Sequence, residues 1–437
     1  MEDHANRIVK KALSLGCEDA VADVYETNSF QIRFSQNQID ITNSWREQAA
    51  SLFIVHEKRV VMTDIRDLSK SDEAVEKVVR IAKVSQKNPE YGGIAKGPFK
   101  YPPLAVDKRI TSLCEGSDFV YSAVNAALAE GAKETAGSFL RNDQTHCLAT
   151  SNGVEAKDRR ADLYLSIRAL AGPESSGHGV ECATHFTKFK PEKAGEKAGR
   201  IAAMAKNPKR GEAGKFDVIF EPLFLGSMAD QMAVRNSAFA VMAGLSPFGK
   251  KIGKKVASNS VTIYDDATAD GRGRKRFDAE GVPARKTAIV QNGILKTHLH
   301  NTSTAKIFKT KTTANAGLVG PDPHQVVLKP GDWKKEELFE ECKDGVYVTN
   351  TWYTRYQNYT TGDFSTIPRD GIFRVKKGEI VGAWKDVRLT DNLLHLWKNV
   401  KALSKETHEV EWWGEVAVPS FMPYALATKI GFTRSAD

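Results

Sequence analysis

Cysteine is sparse in this sequence. Five residues, Cys17, Cys114, Cys147, Cys182 and Cys342, are scattered over 437 positions with no C-x-x-C pair, which argues against a zinc ribbon or a disulfide framework. Long hydrophobic runs are also missing, and no apolar stretch approaches the roughly 18 residues of a spanning helix. The N-terminal MEDHANRIVKKALSLGCEDA reads as an amphipathic helix and not as a basic-then-apolar leader. A cytoplasmic protein without membrane contact, its thiols reduced and mostly buried, is the expectation. The chain has no G-x-G-x-x-G, no G-x-x-x-x-G-K-[ST] phosphate loop and no G-x-S-x-G elbow. Nor does one sign of charge dominate: the net +9 is 63 basic against 54 acidic residues spread along the chain, weak support for nucleic acid as a partner.

What is present is the composition of a soluble globular protein too long for one ordinary core, so two or three domains are expected. Asp3 to Leu15 predicts a helix with Ile8, Val9, Ala12 and Leu13 on one side. Strands follow at Ala20 to Glu26 and Phe30 to Phe34, then a hairpin turning at Glu57-Lys58, then a helix with Ser71 as its N-cap. After the Gly- and Pro-rich loop GGIAKGPFKYPPLAVD the same order returns: a helix over Ser117 to Glu130, strands at Ser138 to Thr150 and Ala161 to Ala169, and a closing helix over Pro191 to Lys206. Glu76 to Pro89 and Glu196 to Pro208 share Glu-Lys-x-x-Arg-Ile-Ala and Lys-Asn-Pro. That repeat is too long for a solenoid period and fits two duplicated α/β modules.

Beyond Gly211 the texture becomes β-rich. Phe216 to Phe220 predicts a strand, Leu223 to Ala243 one long apolar helix, and the rest strands joined by Gly, Asn and Asp turns. Asn292-Gly293 fits a type I′ hairpin turn. The predicted fold is α+β: modules over 1–100 and 101–210, followed by a barrel-like domain over 211–437 with one long helix.

Several side chains could carry chemistry. His298 and His300, two apart on the return strand of the Asn292-Gly293 hairpin, would face one side of the sheet, but a third metal ligand is not evident; they are candidates for facing substrate. In HGVECATH, His178 and Cys182 would share a strand face while His185 points away. Arg272, Arg274 and Arg276, with Lys250, Lys251, Lys254 and Lys255, form the densest basic region. Solvated loops are expected there, with phosphate or nucleic-acid contact as the functional alternative.

The ordered set Phe277-Asp-Ala-Glu-Gly-Val-Pro283, Thr287, Asn292-Gly-Ile-Leu295, Thr304-Ala305, Thr361-Gly-Asp-Phe-Ser365 and Gly378-Glu-Ile380 resembles the TldD/PmbA family, whose PmbA-type members are also called TldE. The likeness covers essentially the whole chain. It implies a branch assignment. TldD-type members carry His-Glu-x-x-x-His on the long helix and a late cysteine; the two histidines and the cysteine bind zinc and the glutamate activates water. Here the nearest register places Asp230 and Arg235 at the histidine positions and Gln231 at the glutamate, and VEWWGEVAVPSFMP has no cysteine. An arginine cannot ligate a metal and a glutamine cannot take a proton from bound water. The resemblance therefore implies a PmbA/TldE-type subunit without a catalytic residue or cofactor of its own. Zinc would reside on a TldD-type partner, the pair acting on unfolded or extended peptides. Arg272 and Arg274 would then stand at the substrate entrance. Two other classes stay open: an independent homodimer that binds peptides or nucleic acid, and a hydrolase working through His298 and His300 or through His178 and Cys182.

Overall fold

The amphipathic N-terminus closes as helix α1 (Glu2–Ser14), whose Ala5, Ile8, Val9 and Ala12 are buried at the spacing of one helix face. In this computed structural model, which describes residues 1–103 and 105–434, strand β1 (Asp19–Ser35) runs unbroken where two strands were expected. It pairs antiparallel with β2 (Gln38–His56), which turns through Glu57 and Lys58, both at positive φ, into β3 (Arg59–Ile65). Helix α2 (Ser71–Val84) completes the first module. Ser71 lies inside that helix and does not cap it. Asp67 is the capping side chain, accepting from the Ser69 N–H at 3.0 Å in the short turn just before.

The second module contains the short α3 (Lys108–Thr111), then α4 (Ser117–Ala129), β4 (Glu134–Thr150), β5 (Glu155–Gly172), β6 (Ser175–Ala183) and α5 (Pro191–Met204). The two modules share one antiparallel sheet of order β3-β2-β1-β4-β5-β6, joined at the β1–β4 pair. The join explains the length of β1. Its first half packs Ala20, Ala22 and Val24 under α1 and α2, while Phe30, Ile32 and Phe34 enter the core beneath α4 and α5. In return, Ala149 of β4 belongs to the first core. Helices α4 and α5 touch through glycine: a Cβ on Gly195 or Gly199 would overlap the carbonyl oxygens of Ala123 or Ala127.

Beyond the short β7 (Lys209–Arg210) lie β8 (Gly214–Phe220), α6 (Pro222–Arg235) and α7 (Ala238–Met242). Next come β9 (Ile263–Asp266), β10 (Lys286–Gln291), β11 (Ile294–Leu295), α8 (Thr302–Ile307), β12 (Val326–Leu328) and α9 (Lys335–Glu341). The chain ends in β13 (Asp344–Asn358), β14 (Asp363–Lys376), β15 (Glu379–Lys385), β16 (Val387–Asn392), α10 (Leu393–Lys398), β17 (Val400–Trp412) and β18 (Val416–Arg434). These strands form one 12-stranded sheet. Within it β18 pairs β8, β8 pairs β13, β13 pairs β14, β14 pairs β16 and β16 pairs β18, a closed circuit that makes the domain barrel-like. Of the expected domain ranges, Leu104 in the boundary loop and residues 435–437 lie outside the described residues.

The expected single helix from Leu223 to Ala243 is interrupted. Asn236 and Ser237 separate α6 from α7, because Ser237 adopts extended backbone and both side chains are committed elsewhere. Asn236 Nδ2 donates to the Thr297 carbonyl at 2.9 Å, and Ser237 Oγ donates to the Pro321 carbonyl at 2.9 Å. Side-chain bonds of this kind compete with helix continuation.

Candidate functional site

Helix α6 is buried along most of its length, with Pro at its first position and Gly226 close against Val410 and Val416. Because residues four apart share a helix face, Ser227, Gln231 and Arg235 form a polar stripe on this otherwise apolar element. Ser227 Oγ, Gln231 Oε1 and Arg235 Nε are buried without a hydrogen-bond partner among the described residues. The Arg235 guanidinium stacks on Tyr359 (4.4 Å to the ring centroid) and Tyr356 (5.1 Å), and the two rings stack on each other at 5.2 Å. Asp230, 4% exposed, accepts from the Ala417 N–H at 2.9 Å. Burial pushes its carboxyl up to about 6 against the pull of the Ala417 and Val418 amides and of Arg235.

The implied zinc can be tested against this donor set. One carboxylate held by backbone amides, one amide side chain and one guanidinium clamped by tyrosines do not provide the three or four N, O or S ligands that zinc needs. A fixed positive charge at the second histidine position opposes a cation there. Among the described residues no group of three or more His, Cys, Asp and Glu is placed to hold a metal.

The other candidates occupy different places. His298 and His300 are not on a strand: β11 ends at Leu295, and both imidazoles are buried, 2% and 1% exposed, against Phe308. His298 Nδ1 lies 2.8 Å from Asn236 Oδ1, so that nitrogen carries the proton, and His300 Nδ1 lies 3.3 Å from Thr304 Oγ1. Burial lowers both rings to about 4. Through Asn236, His298 holds the α6–α7 break in place, while His300 is bonded to Thr304 and Thr313.

His178, 3% exposed, accepts at Nδ1 from Asn350 Nδ2 (3.0 Å) and donates from Nε2 to Ser166 Oγ (2.9 Å), its ring edge-on to Trp412. Burial lowers it to about 3. His185 instead pairs with Asp270 at 3.0 Å, away from both His178 and Cys182.

The basic region is solvated only in part: Lys250, Lys254 and Lys255 are exposed, whereas the arginines from Arg272 to Arg276 are engaged by other side chains and carbonyls. Arg272 reaches Asp162 at 2.8 Å and Glu411 at 2.9 Å and lies over the Tyr164 ring. Arg274 donates to the Ala105 carbonyl at 2.8 Å, and Arg276 donates to the carbonyls of Pro102 and Lys157. These residues clasp the second module to the C-terminal domain. Arg272 and Arg274 also line a cleft of about 340 Å³ with Asp107, Arg109 and Asp270. The neighbouring Phe277-to-Pro283 motif is a joint as well. Asp278 accepts from the N–H groups of Glu280, Val282 and Ala316, and Tyr101 donates to the Gly281 carbonyl at 2.6 Å.

Sequence reasoning missed Ser227, Tyr356 and Tyr359. The four-residue spacing of Ser227, Gln231 and Arg235 was a readable signal, whereas the tyrosines read only as strand formers.

Comparison with known proteins gives the architecture a family. Residues 213–434 match the model of the PmbA/TldA metallopeptidase C-terminal domain and residues 104–206 that of the central domain. A metalloprotease of Methanothermobacter thermautotrophicus is 30% identical over 67% of this chain and 67% of its own length. One of Methanocaldococcus jannaschii is 33% identical over 62% of this chain but only 58% of its own. Among solved structures, a candidate modulator of a DNA gyrase from Thermotoga maritima superposes with a TM-score of 0.84 at 22% identity, covering 99% of this chain and 100% of that one. TldE from Thermococcus kodakarensis does so with 0.84 at 18%, covering 98% and 100%. The structural likeness speaks for fold, and with the two domain matches in sequence it establishes that this chain belongs to the PmbA/TldD family.

Proposed function

We propose that this chain is the PmbA/TldE-type, zinc-free subunit of a TldD/TldE-type metalloprotease complex: a cytoplasmic protein without a catalytic residue, cofactor or nucleic-acid partner of its own. It pairs with a TldD-type subunit that carries the zinc, or with a second copy of itself, and takes part in handling unfolded or extended peptides. The observation that supports the reading is α6, where Arg235 lies over the stacked rings of Tyr356 and Tyr359 in the place a second histidine ligand would need and Gln231 stands where a general base would. Extended peptides can be held by strand addition to a sheet edge, so a β-rich subunit contributes to substrate handling without performing chemistry.

The test is the zinc content of the purified full chain after dialysis against zinc and removal of loosely bound metal, together with hydrolysis of a casein-derived peptide with and without a TldD-type partner. Near-zero zinc, no hydrolysis alone and hydrolysis with the partner are expected. About one zinc per chain, or hydrolysis by the isolated chain, overturns the reading.

A further inference from the structure

Away from α6, a cleft of about 560 Å³ opens between α5 of the second module and the C-terminal domain. Lys193, Lys197 and Arg200 lie on one face of α5 at i, i+4, i+7 spacing and form one wall. Opposite them, at the start of α9, Lys335 Nζ stands 3.3 Å from the Tyr424 hydroxyl and 4.5 Å over its ring. Glu221, 2% exposed, closes the floor, accepting from Tyr424 at 3.2 Å and pairing with Lys197 at 2.8 Å.

That pair neutralises one cation. The side chains of Lys193 and Arg200 are exposed and make no hydrogen bond or ion pair among the described residues, and Lys335 donates only to a neutral phenol. Glu181 and Glu409, which also line the cleft, are weak counter-charges, since burial raises both carboxyls to about 7. Glu196 is a further carboxylate of the lining, so the cleft holds no net surplus of three charges, but three of its four cations, Lys193, Arg200 and Lys335, stand without an ion pair among the described residues.

Beside apolar side chains such as Ile201, Met204 and Phe339, part of its lining comes from strands at sheet edges. Val180, Glu181 and Cys182 belong to β6, the last strand in the order of the six-stranded sheet, and Thr407 to Val410 belong to β17, which pairs with β18 alone among the named strands. An edge offers main-chain donors and acceptors to an added strand, and ammonium and guanidinium groups without an ion pair offer charge-assisted bonds to an anion.

We propose that this cleft binds the C-terminal end of an extended peptide, main chain along the strand edge and terminal carboxylate among Lys193, Arg200 and Lys335. The proposal rests on the peptide-handling role above and names the chemical group by which the peptide is held. An Asp or Glu side chain carries the same group, and the test separates the two sources.

Fluorescein-labelled peptides of one neutral sequence, ending in a free carboxylate, in an amide, or in an amide with one internal Glu, are titrated with the full chain at low salt and followed by anisotropy. The free-acid peptide is expected to bind roughly tenfold or more tighter than either amide. Lys193→Glu with Arg200→Glu, both on an exposed helix face, abolishes the difference, and the milder Lys193→Gln with Arg200→Gln reduces it. Equal binding of free acid and plain amide, equal binding of free acid and the Glu-bearing amide, no binding of any peptide, or an undiminished preference in either double variant overturns the proposal. Anisotropy of the isolated chain reads neither zinc nor hydrolysis, so the subunit reading fails on different measurements.

Discussion

Arg168 of β5 donates from Nη2 to Asp370 Oδ2 at 2.7 Å, tying the sheet of repeated modules to β14 of the barrel-like domain through a carboxylate with no exposed side-chain surface. Ser176 Oγ (2.8 Å) and Asn350 Nδ2 (3.3 Å) also donate to Asp370. Burial alone would raise this carboxyl; His178, Arg168 and Ser176 outweigh it and hold the group below the usual carboxylate range.

Removing one partner strands a buried charge. Arg168→Ala is expected to cost about 3–5 kcal/mol in urea unfolding. Arg168→Met with Asp370→Asn together should cost less than the sum of the single changes, because no lone charge remains. The contribution of Asp370 is present above its unfolded value of about 3.9 and is lost as pH falls through its lower folded value.

The buried histidines set a second pH window. His178 at about 3 and His298 and His300 at about 4 stay neutral in the fold while the unfolded chain protonates them near 6.5. A folded pKa below the unfolded one means stability that is full above about 6.5 and declines as pH falls toward 4. His298→Gln, which keeps a hydrogen-bonding group beside Asn236, is expected to flatten that decline in thermal melts recorded across this range. An unchanged slope would dismiss His298 as a contributor.

Asp230 has the opposite sign. Its carboxyl titrates at about 6 in the fold, above the unfolded value near 3.9, so its contribution is full at low pH and lost as pH rises through 6. Asp230→Asn keeps an acceptor for the Ala417 amide and removes the buried charge. Equal or greater stability than the parent at pH 8, and a disadvantage only below about pH 5, are expected from melts at the two pH values.

Close helix contact gives a steric prediction. Gly195→Ala forces a methyl group into the Ala123 carbonyl across the α4–α5 contact and is expected to cost about 1–3 kcal/mol. Gly93→Ala, at a glycine with nothing within 4 Å of its missing Cβ but with a φ of 96°, costs through backbone strain alone and should be milder. Denaturant midpoints of the two variants order the effects.

Much of the architecture was legible because it rests on local periodicity. The i, i+3, i+4, i+7 pattern of Ala5, Ile8, Val9 and Ala12 makes α1 whatever it packs on, and Asn292-Gly293 turns a hairpin because both residues tolerate positive φ. The repeat of Glu-Lys-x-x-Arg-Ile-Ala announced two modules, but not that β1 and β4 would join them into one sheet. Pairing partners of high sequence separation leave no local signal.

The composition of α6 was likewise decided by sequence alone: with Asp230, Gln231 and Arg235 in place, no fold can turn that helix into a His-Glu-x-x-x-His element, since ligand chemistry belongs to the side chains themselves. Tertiary structure decided where everything else went. Burial makes His298 and His300 neutral hydrogen-bonding posts, ion pairing with Asp162 and Glu411 makes Arg272 a domain clasp, and the meeting of α5 with β17 collects Lys193, Arg200 and Lys335 into one cleft. Desolvation, pairing and convergence depend on residues far apart in the chain, so only the folded protein determines them.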